Sequence, residues 1–249
     1  MNIQGKSIIV TGAGSGLGAA TAQWLIDHGA QITIADLKAP ETMPAGAIFA
    51  RTDVTSPEDA AGAISAAKSS FGAVHGLVNC AGIAPSERIV GRSGAHDLQN
   101  FARTININLI GSFNMLRLAA EAMQANDADE NGERGVIVNT ASVAAFDGQI
   151  GQAGYAASKG GIASLTLPAA RELARAGIRV LAIAPGIFET PMMAAMPQAV
   201  QDSLGATVPF PARLGRPNEY AALVGHIFSN PYLNGEVIRL DGALRMAAK

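Results

Sequence analysis

Short apolar runs alternate along the chain with longer helix-like stretches. Ser7–Thr11, Gln31–Ala35, Ala47–Arg51, Gly76–Asn79, Val136–Thr140, Val180–Ala184 and Glu236–Leu240 read as strands. Several are apolar nearly throughout, the pattern of strands whose sheet is covered on both faces. Helices are predicted near 17–28, 57–70, 98–124, 152–176 and 217–229. Regular strand–helix alternation predicts one α/β domain built on a doubly wound parallel sheet, and no composition shift or repeat divides residues 1–249 into two.

Three stretches break the alternation. Gly82–His96 is a long polar connection after the fourth strand. Asn126–Arg134 is acidic and reads as a solvated surface excursion. Residues 185–217 carry six prolines and mix Phe188, Met192, Met193, Met196 and Phe210 with turn residues, as a substrate loop or an ordinary helix-containing excursion would. The helix at 152–176 lacks a clear polar stripe until Arg171, so a second face is covered, most simply by another copy of the chain, or its small residues tolerate exposure.

Composition narrows the function classes. The 249 residues are 49% hydrophobic and 15% charged, with 28 glycines, which suits a well-buried core with many tight turns. A net charge of −2 without a basic run argues against nucleic-acid or membrane-surface partners. Cys80 is the only cysteine, which excludes an internal disulfide and a cysteine-based metal cluster and suits a reducing compartment. The first strand begins about Ser7, too early to leave room for a targeting peptide, and no apolar run reaches the ~20 residues that span a bilayer. The expectation is a cytoplasmic protein with no metal site.

The chemistry-bearing residues gather at strand ends. Tyr155 and Lys159 are four apart, so a helix places both on one face. A free phenol ionises near pH ~10, and a cation close by lowers that value, which makes the pair a candidate acid–base device. Thr11-Gly12-Ala13-Gly14-Ser15-Gly16-Leu17-Gly18 leaves the first strand and opens the first helix, where amide N–H groups can meet a pyrophosphate. Asp36 ends the second strand, eighteen residues beyond Gly18, and a carboxylate there suits ribose hydroxyls and opposes a 2′-phosphate, favouring NAD over NADP. Asp53-Val54 could flank an adenine. Asn79-Cys80-Ala81-Gly82, Asn139-Thr140-Ala141-Ser142 and Pro185-Gly186 follow the next strands and so crowd the same sheet edge. Ser142 precedes Tyr155 by thirteen residues, close enough for both to reach one substrate oxygen.

Together with Asn108 in Asn-Leu-Ile-Gly, Thr190, and the strand before Asp241-Gly242, these motifs resemble the short-chain dehydrogenase/reductase family in order and spacing. Residues 136–161, 179–191 and 208–246, with the acidic excursion and Cys80, are similar to its type-2 3-hydroxyacyl-CoA dehydrogenase branch. The resemblance implies a Rossmann-type domain with a seven-stranded, mostly parallel sheet and helices on both faces. It implies an acid–base role for Tyr155, a ribose-holding and pKa-lowering role for Lys159, substrate polarisation by Ser142, and a relay water held by Asn108. The glycine loop (Gly12, Ser15, Gly16, Leu17, Gly18), Asp36, Asp53, Val54, Cys80, Ala81, Gly82, Pro185 and Phe188 would hold NAD, with Thr190 near the carboxamide and Gln149 facing the substrate. The implied activity is NAD-dependent interconversion of a short or branched 3-hydroxyacyl-CoA and its 3-oxoacyl-CoA by a homotetramer. Simple alcohols, ketones or hydroxysteroids are the alternative substrates. A carrier-protein reductase is opposed by Asp36, and a non-catalytic nucleotide sensor by the presence of Ser142, Tyr155 and Lys159.

Overall fold

The computed structural model describes residues 1–92, 94–194 and 196–248. Its centre is a seven-stranded sheet: β1 (Ser7–Thr11), β2 (Gln31–Asp36), β3 (Ala47–Arg51), β4 (Gly76–Asn79), β7 (Gly135–Thr140), β8 (Ile178–Pro185) and β9 (Val237–Leu240). The spatial order is β3-β2-β1-β4-β7-β8-β9, and every pairing is parallel. The order reverses between β1 and β4, which opens a crevice beyond the carboxyl ends of those strands.

Alternate residues of the strands feed two cores, because successive side chains point to opposite faces. Ile8, Val10, Ile32, Ile34, Val136 and Val138 pack on one face with α1 (Gly16–Asp27) and α8 (Pro217–Ser229). Ile9, Leu77, Ile137 and Val180 pack on the other with α2 (Pro57–Phe71), α4 (Gly111–Met123) and α5 (Ala153–Leu173). Each fully buried Ile or Leu of this kind stabilises the fold by roughly 1.5–3 kcal/mol. The continuous apolar runs of β1 and β7 are thus the signature of a sheet covered twice. α2 begins where a cap was written into the chain: Ser56 Oγ accepts from the Asp59 amide at 3.0 Å, Pro57 stands at the first helical position, and Gly72 closes the helix at φ +82.

Three regions differ from the sequence expectations, and a fourth, the stretch after β8, takes the helix-containing form of its two readings. The single helix expected over 98–124 is α3 (Leu98–Ile105), a π-turn over Asn106–Ile110, and then α4. Helical periodicity cannot distinguish a π-turn from the α-helix it interrupts. The connection after β4 contains a small hairpin, β5 (Val90–Gly91) with β6 (Gly94–Ala95). The stretch after β8 holds α6 (Pro191–Ala194) and α7 (Gln198–Gly205), and Phe188 bridges to Gly215. The acidic excursion is solvated only in part. Glu133 is buried and paired with Arg179 of β8 at 2.7 Å, since a buried carboxylate is tolerated only beside a matching cation. Among the described residues no helix is long and apolar enough to cross a membrane, and no cluster of metal-ligating side chains occurs.

Candidate active site

A cavity of about 910 Å³ lies beyond the carboxyl ends of β1, β2, β4, β7 and β8. Gly12 sets its floor. Its φ is +64, and a Cβ there would lie 2.7 Å from the Ala81 amide nitrogen, so only glycine lets the β1 turn touch the β4 turn. The Thr11 hydroxyl ties the same two turns by accepting from the Cys80 and Ala81 amides, each at 3.1 Å. Ser15 is the N-cap of α1, and its hydroxyl makes no capping bond. The space before Gly16 is open, with only Pro191 Cδ 3.6 Å from where a Cβ would sit. Free amides at a helix N-terminus facing open space suit a phosphate group. Asp36 stands at the adjoining wall, its Oδ2 accepting from the Gly14 amide at 2.9 Å and its Oδ1 from the Lys38 amide at 3.3 Å. These residues fit a dinucleotide.

The other end of the cavity holds the candidate acid–base groups. Ser142 follows β7, caps a short 3-10 turn over Val143–Ala145, and its Oγ accepts from the Ala144 amide at 3.1 Å. Tyr155 and Lys159 occupy successive turns of α5 and line the same cavity as Ser142. α5 comes close because Gly161 lies against Leu109 of the π-turn, and a Cβ at that position would fall 2.6 Å from Leu109 Cδ2. Lys159 is 5% exposed and donates to the Thr140 carbonyl at 2.6 Å. Burial lowers its pKa to about 8, against a smaller upward influence of Cys80. An ammonium carries three donors, so two remain for a ligand.

The sequence expected Lys159 to ease ionisation of the phenol, and the geometry divides that task differently. Lys159 Nζ lies 5.9 Å from the Tyr155 ring centre, drawn toward Thr140. Burial raises the Tyr155 pKa, and the opposing influence comes from the Ser142 hydroxyl. Burial also pushes the Cys80 thiol up, with Thr140 and Tyr220 pulling the other way, which leaves a protonated, unreactive group on the cavity wall. Tyr220, fully buried on α8, braces this corner with its hydroxyl 2.8 Å from Thr140 Oγ1.

Of the residues singled out in the sequence, the cavity brings together Gly12, Ser15, Gly16, Leu17 and Gly18 with Asp36, Asp53 and Val54. It adds Cys80, Ala81, Gly82, Ser142, Tyr155, Lys159, Pro185, Phe188 and Thr190. Asp53 Oδ1 is held by the Thr55 hydroxyl at 2.7 Å and the Thr55 amide at 2.9 Å, bonds that keep its carboxyl below the usual range. Two residues lie elsewhere. Asn108 is buried beneath the cavity: its Oδ1 accepts from the Ile83 amide at 2.8 Å, and its Nδ2 donates to the Ile83 carbonyl at 2.8 Å and to Ser158 Oγ at 3.0 Å. Gln149 is turned toward the end of the chain and donates to the Ala247 carbonyl at 3.0 Å. Gln152 lines the cavity in its stead, as do Met193 and Met246. Gln152 could have been found from its place three residues before Tyr155. Nothing local marks Met246, which only the fold brings in.

Residues 6–201 match the family described as short chain dehydrogenase. The chain is a short-chain dehydrogenase. It is 51% identical to the 3-hydroxyacyl-CoA dehydrogenase type-2 of Bos taurus, over 98% of this chain and 97% of that protein. It is also 51% identical to the protein of the same name from Drosophila melanogaster, over 96% of each. A solved structure of 3-hydroxyacyl-CoA dehydrogenase type-2 from Mycobacterium avium superposes with a TM-score of 0.93 at 43% identity, covering 98% of both chains. These matches place the short-chain dehydrogenase in the type-2 branch, the one its motifs resemble. It is an oxidoreductase acting on CH–OH groups, in a family that uses nicotinamide cofactors.

Proposed function

We propose that this short-chain dehydrogenase is an NAD-dependent 3-hydroxyacyl-CoA dehydrogenase, interconverting short or branched 3-hydroxyacyl and 3-oxoacyl thioesters. The observation that carries the reading is the convergence of Ser142, Tyr155 and Lys159 at one end of a cavity whose other end is a phosphate cradle. The substrate class is supported by the names of relatives about half identical along nearly the whole chain. Asp36 supports NAD, because its carboxylate at the cavity wall would face a 2′-phosphate and repel it.

In oxidation, Tyr155 acts as the phenolate, having first given its own proton to solvent through the relay, and takes the hydroxyl proton at its oxygen while Ser142 Oγ donates to the same substrate oxygen. The nicotinamide supplies the hydride acceptor when bound. Lys159 keeps one N–H on Thr140 and offers the others to ribose hydroxyls, which fixes the distance between its turn of α5 and the cofactor. Asn108 clamps the Ile83 loop beneath these groups, and a relay water would rest against that clamp. In reduction Tyr155 returns the proton. Positioned acid–base groups of this kind contribute ~10²–10⁴-fold. A homotetramer is supported by the exposed Ile110, Phe113 and Leu167 on the outer helices, apolar surface that a second copy would cover. A cytoplasmic setting is supported by the lone Cys80.

The deciding experiment compares NADH oxidation with acetoacetyl-CoA, simple ketones and an oxosteroid. A strong preference for the thioester is expected. Equal or better turnover of a simple ketone would replace this reading with the second one, which the apolar Phe188, Met193 and Met246 in the lining favour. Stoichiometric NADH binding without turnover of any ketone would leave a nucleotide-sensing protein.

A further inference from the structure

The segment after β9 reaches back across the sheet edge and supplies Met246 to the same cavity as Ser142, Gln152 and Tyr155. It is strapped at both ends. On the near side Arg239 donates to Asp241 Oδ2 at 2.7 Å, to Asp147 Oδ2 at 2.6 Å and to the Leu244 carbonyl at 3.0 Å, and the Leu244 side chain is buried. On the far side Gln149 Nε2 donates to the Ala247 carbonyl, and the Ile150 amide donates to the Ala248 carbonyl, each at 3.0 Å. The Arg239 guanidinium also lies 5.4 Å over the Phe146 ring. Beyond Arg239 and Asp241, the anchors of residues 244–248 belong to the turn of residues 146–150, which joins Ser142 to the helix of Tyr155. Met246 stands between the two sets of anchors, half-buried.

We propose that residues 244–248 form the acyl-side wall of the cavity and that Met246 is a specificity-determining residue, setting how long or branched a substrate chain fits. The placement follows from the anchors: they adjoin the Ser142–Tyr155 end, whereas the phosphate cradle and Asp36 stand at the other. The chemistry suits an alkyl chain. A thioether is apolar, flexible and demands no hydrogen bond, and Met193 of α6 adds a second one to the lining. The tail's one charged side chain among the described residues, Arg245, is exposed and bonded to Asp241 at 3.2 Å. Gln149 then acts as a positioning residue, through the tail and not on the substrate.

This wall rests on the acyl-thioester reading, and the test separates the two. kcat/KM is measured for acetoacetyl-CoA and for progressively longer and 2-methyl-branched 3-oxoacyl-CoA, with NADH affinity read independently by fluorescence as the check on folding. Met246→Ala is expected to raise the ratio of long-chain to acetoacetyl kcat/KM by about tenfold, and Met246→Phe to lower it, because one methylene in an apolar pocket changes kcat/KM ~10–200-fold. Gln149→Ala is expected to shift the ratio in the same direction as Met246→Ala by a smaller factor; a uniform rise in KM for every chain would instead make it a direct substrate contact. Thioester turnover with an unchanged chain-length profile in both Met246 variants overturns the wall. Absence of thioester turnover in the unmodified protein overturns the acyl reading alone. The same variants against ketones of increasing bulk then decide the wall, which fails if their profiles match the unmodified protein's.

Discussion

Strand β7 has a buried cation near each end, and the two are treated differently. Below its first residue, Arg179 is paired with Glu133 and donates further to the carbonyls of Ile227, Phe228 and Leu233 at 2.8–3.1 Å. Beyond its last residue, Lys159 has the Thr140 carbonyl alone, and no carboxylate lies within ion-pair distance of it among the described residues. The guanidinium is satisfied wholly within the fold. The ammonium is buried with donors to spare, and its lowered pKa records the cost. A charge that serves structure is closed off from every other partner, whereas a charge that serves a ligand has to be left incomplete.

The largest effect expected at the incomplete end is catalytic. Tyr155→Phe should retain the fold and NADH binding yet lose at least about 10² in kcat with acetoacetyl-CoA, the lower end of acid–base contributions. A rate close to that of the unmodified protein would remove Tyr155 from the proton path. At the closed end the effect should be on stability. Arg179→Met leaves the buried Glu133 with only the Met1 ammonium, 3.4 Å away, and is expected to destabilise by about 3 kcal/mol in denaturant unfolding, the lower end for breaking a buried pair. If the unfolding midpoint stays put, the lower pair is not structural and the contrast fails.

The same replacement at the upper end should have the opposite sign. Lys159→Met is expected to abolish turnover while stabilising the ligand-free protein at neutral pH by up to roughly 3 kcal/mol, the cost implied by its lowered pKa. Lys159 titrates near pH 8 when folded and in the usual lysine range, near ~10.4, when unfolded. Between those values the unfolded chain holds more protons, so stability rises with pH across that window and falls as pH drops through 8. The variant should lack that rise. A thermal scan of both proteins from neutral to alkaline pH checks it, and a loss of stability in the variant would contradict the account. The smallest effect is at Asp36. Asp36→Asn retains an acceptor for the Gly14 amide but drops the charge, and is expected to narrow the preference for NADH over NADPH by about tenfold, equivalent to ~1.4 kcal/mol. An unaltered preference would remove Asp36 from cofactor choice.

Much of this was legible in the chain because the signals were local. The strand runs, the strand–glycine loop–helix order, Asp36 at the end of β2, and the i, i+4 spacing of Tyr155 and Lys159 each follow from a few neighbouring residues, and all of them reach the one cavity. The acidic run around Glu133 read as surface because its partner, Arg179, is 46 residues away. The π-turn at Asn106–Ile110 read as helix because its side chains keep a helical pattern, although it shapes the clamp made by Asn108. Gln149 read as facing the substrate, and its bond to Ala247 spans 98 positions.

The sequence by itself therefore determined the layers of this dehydrogenase and the placing of Tyr155 and Lys159 on one helix face, since periodicity, turn chemistry and helical spacing operate over a few residues. The tertiary structure decided the electrostatic state of those two groups, the hidden pairing of Glu133, and the arrival of Met246 at the cavity. Desolvation and long-range contact depend on what the rest of the chain places around a group, and no local pattern carries that information.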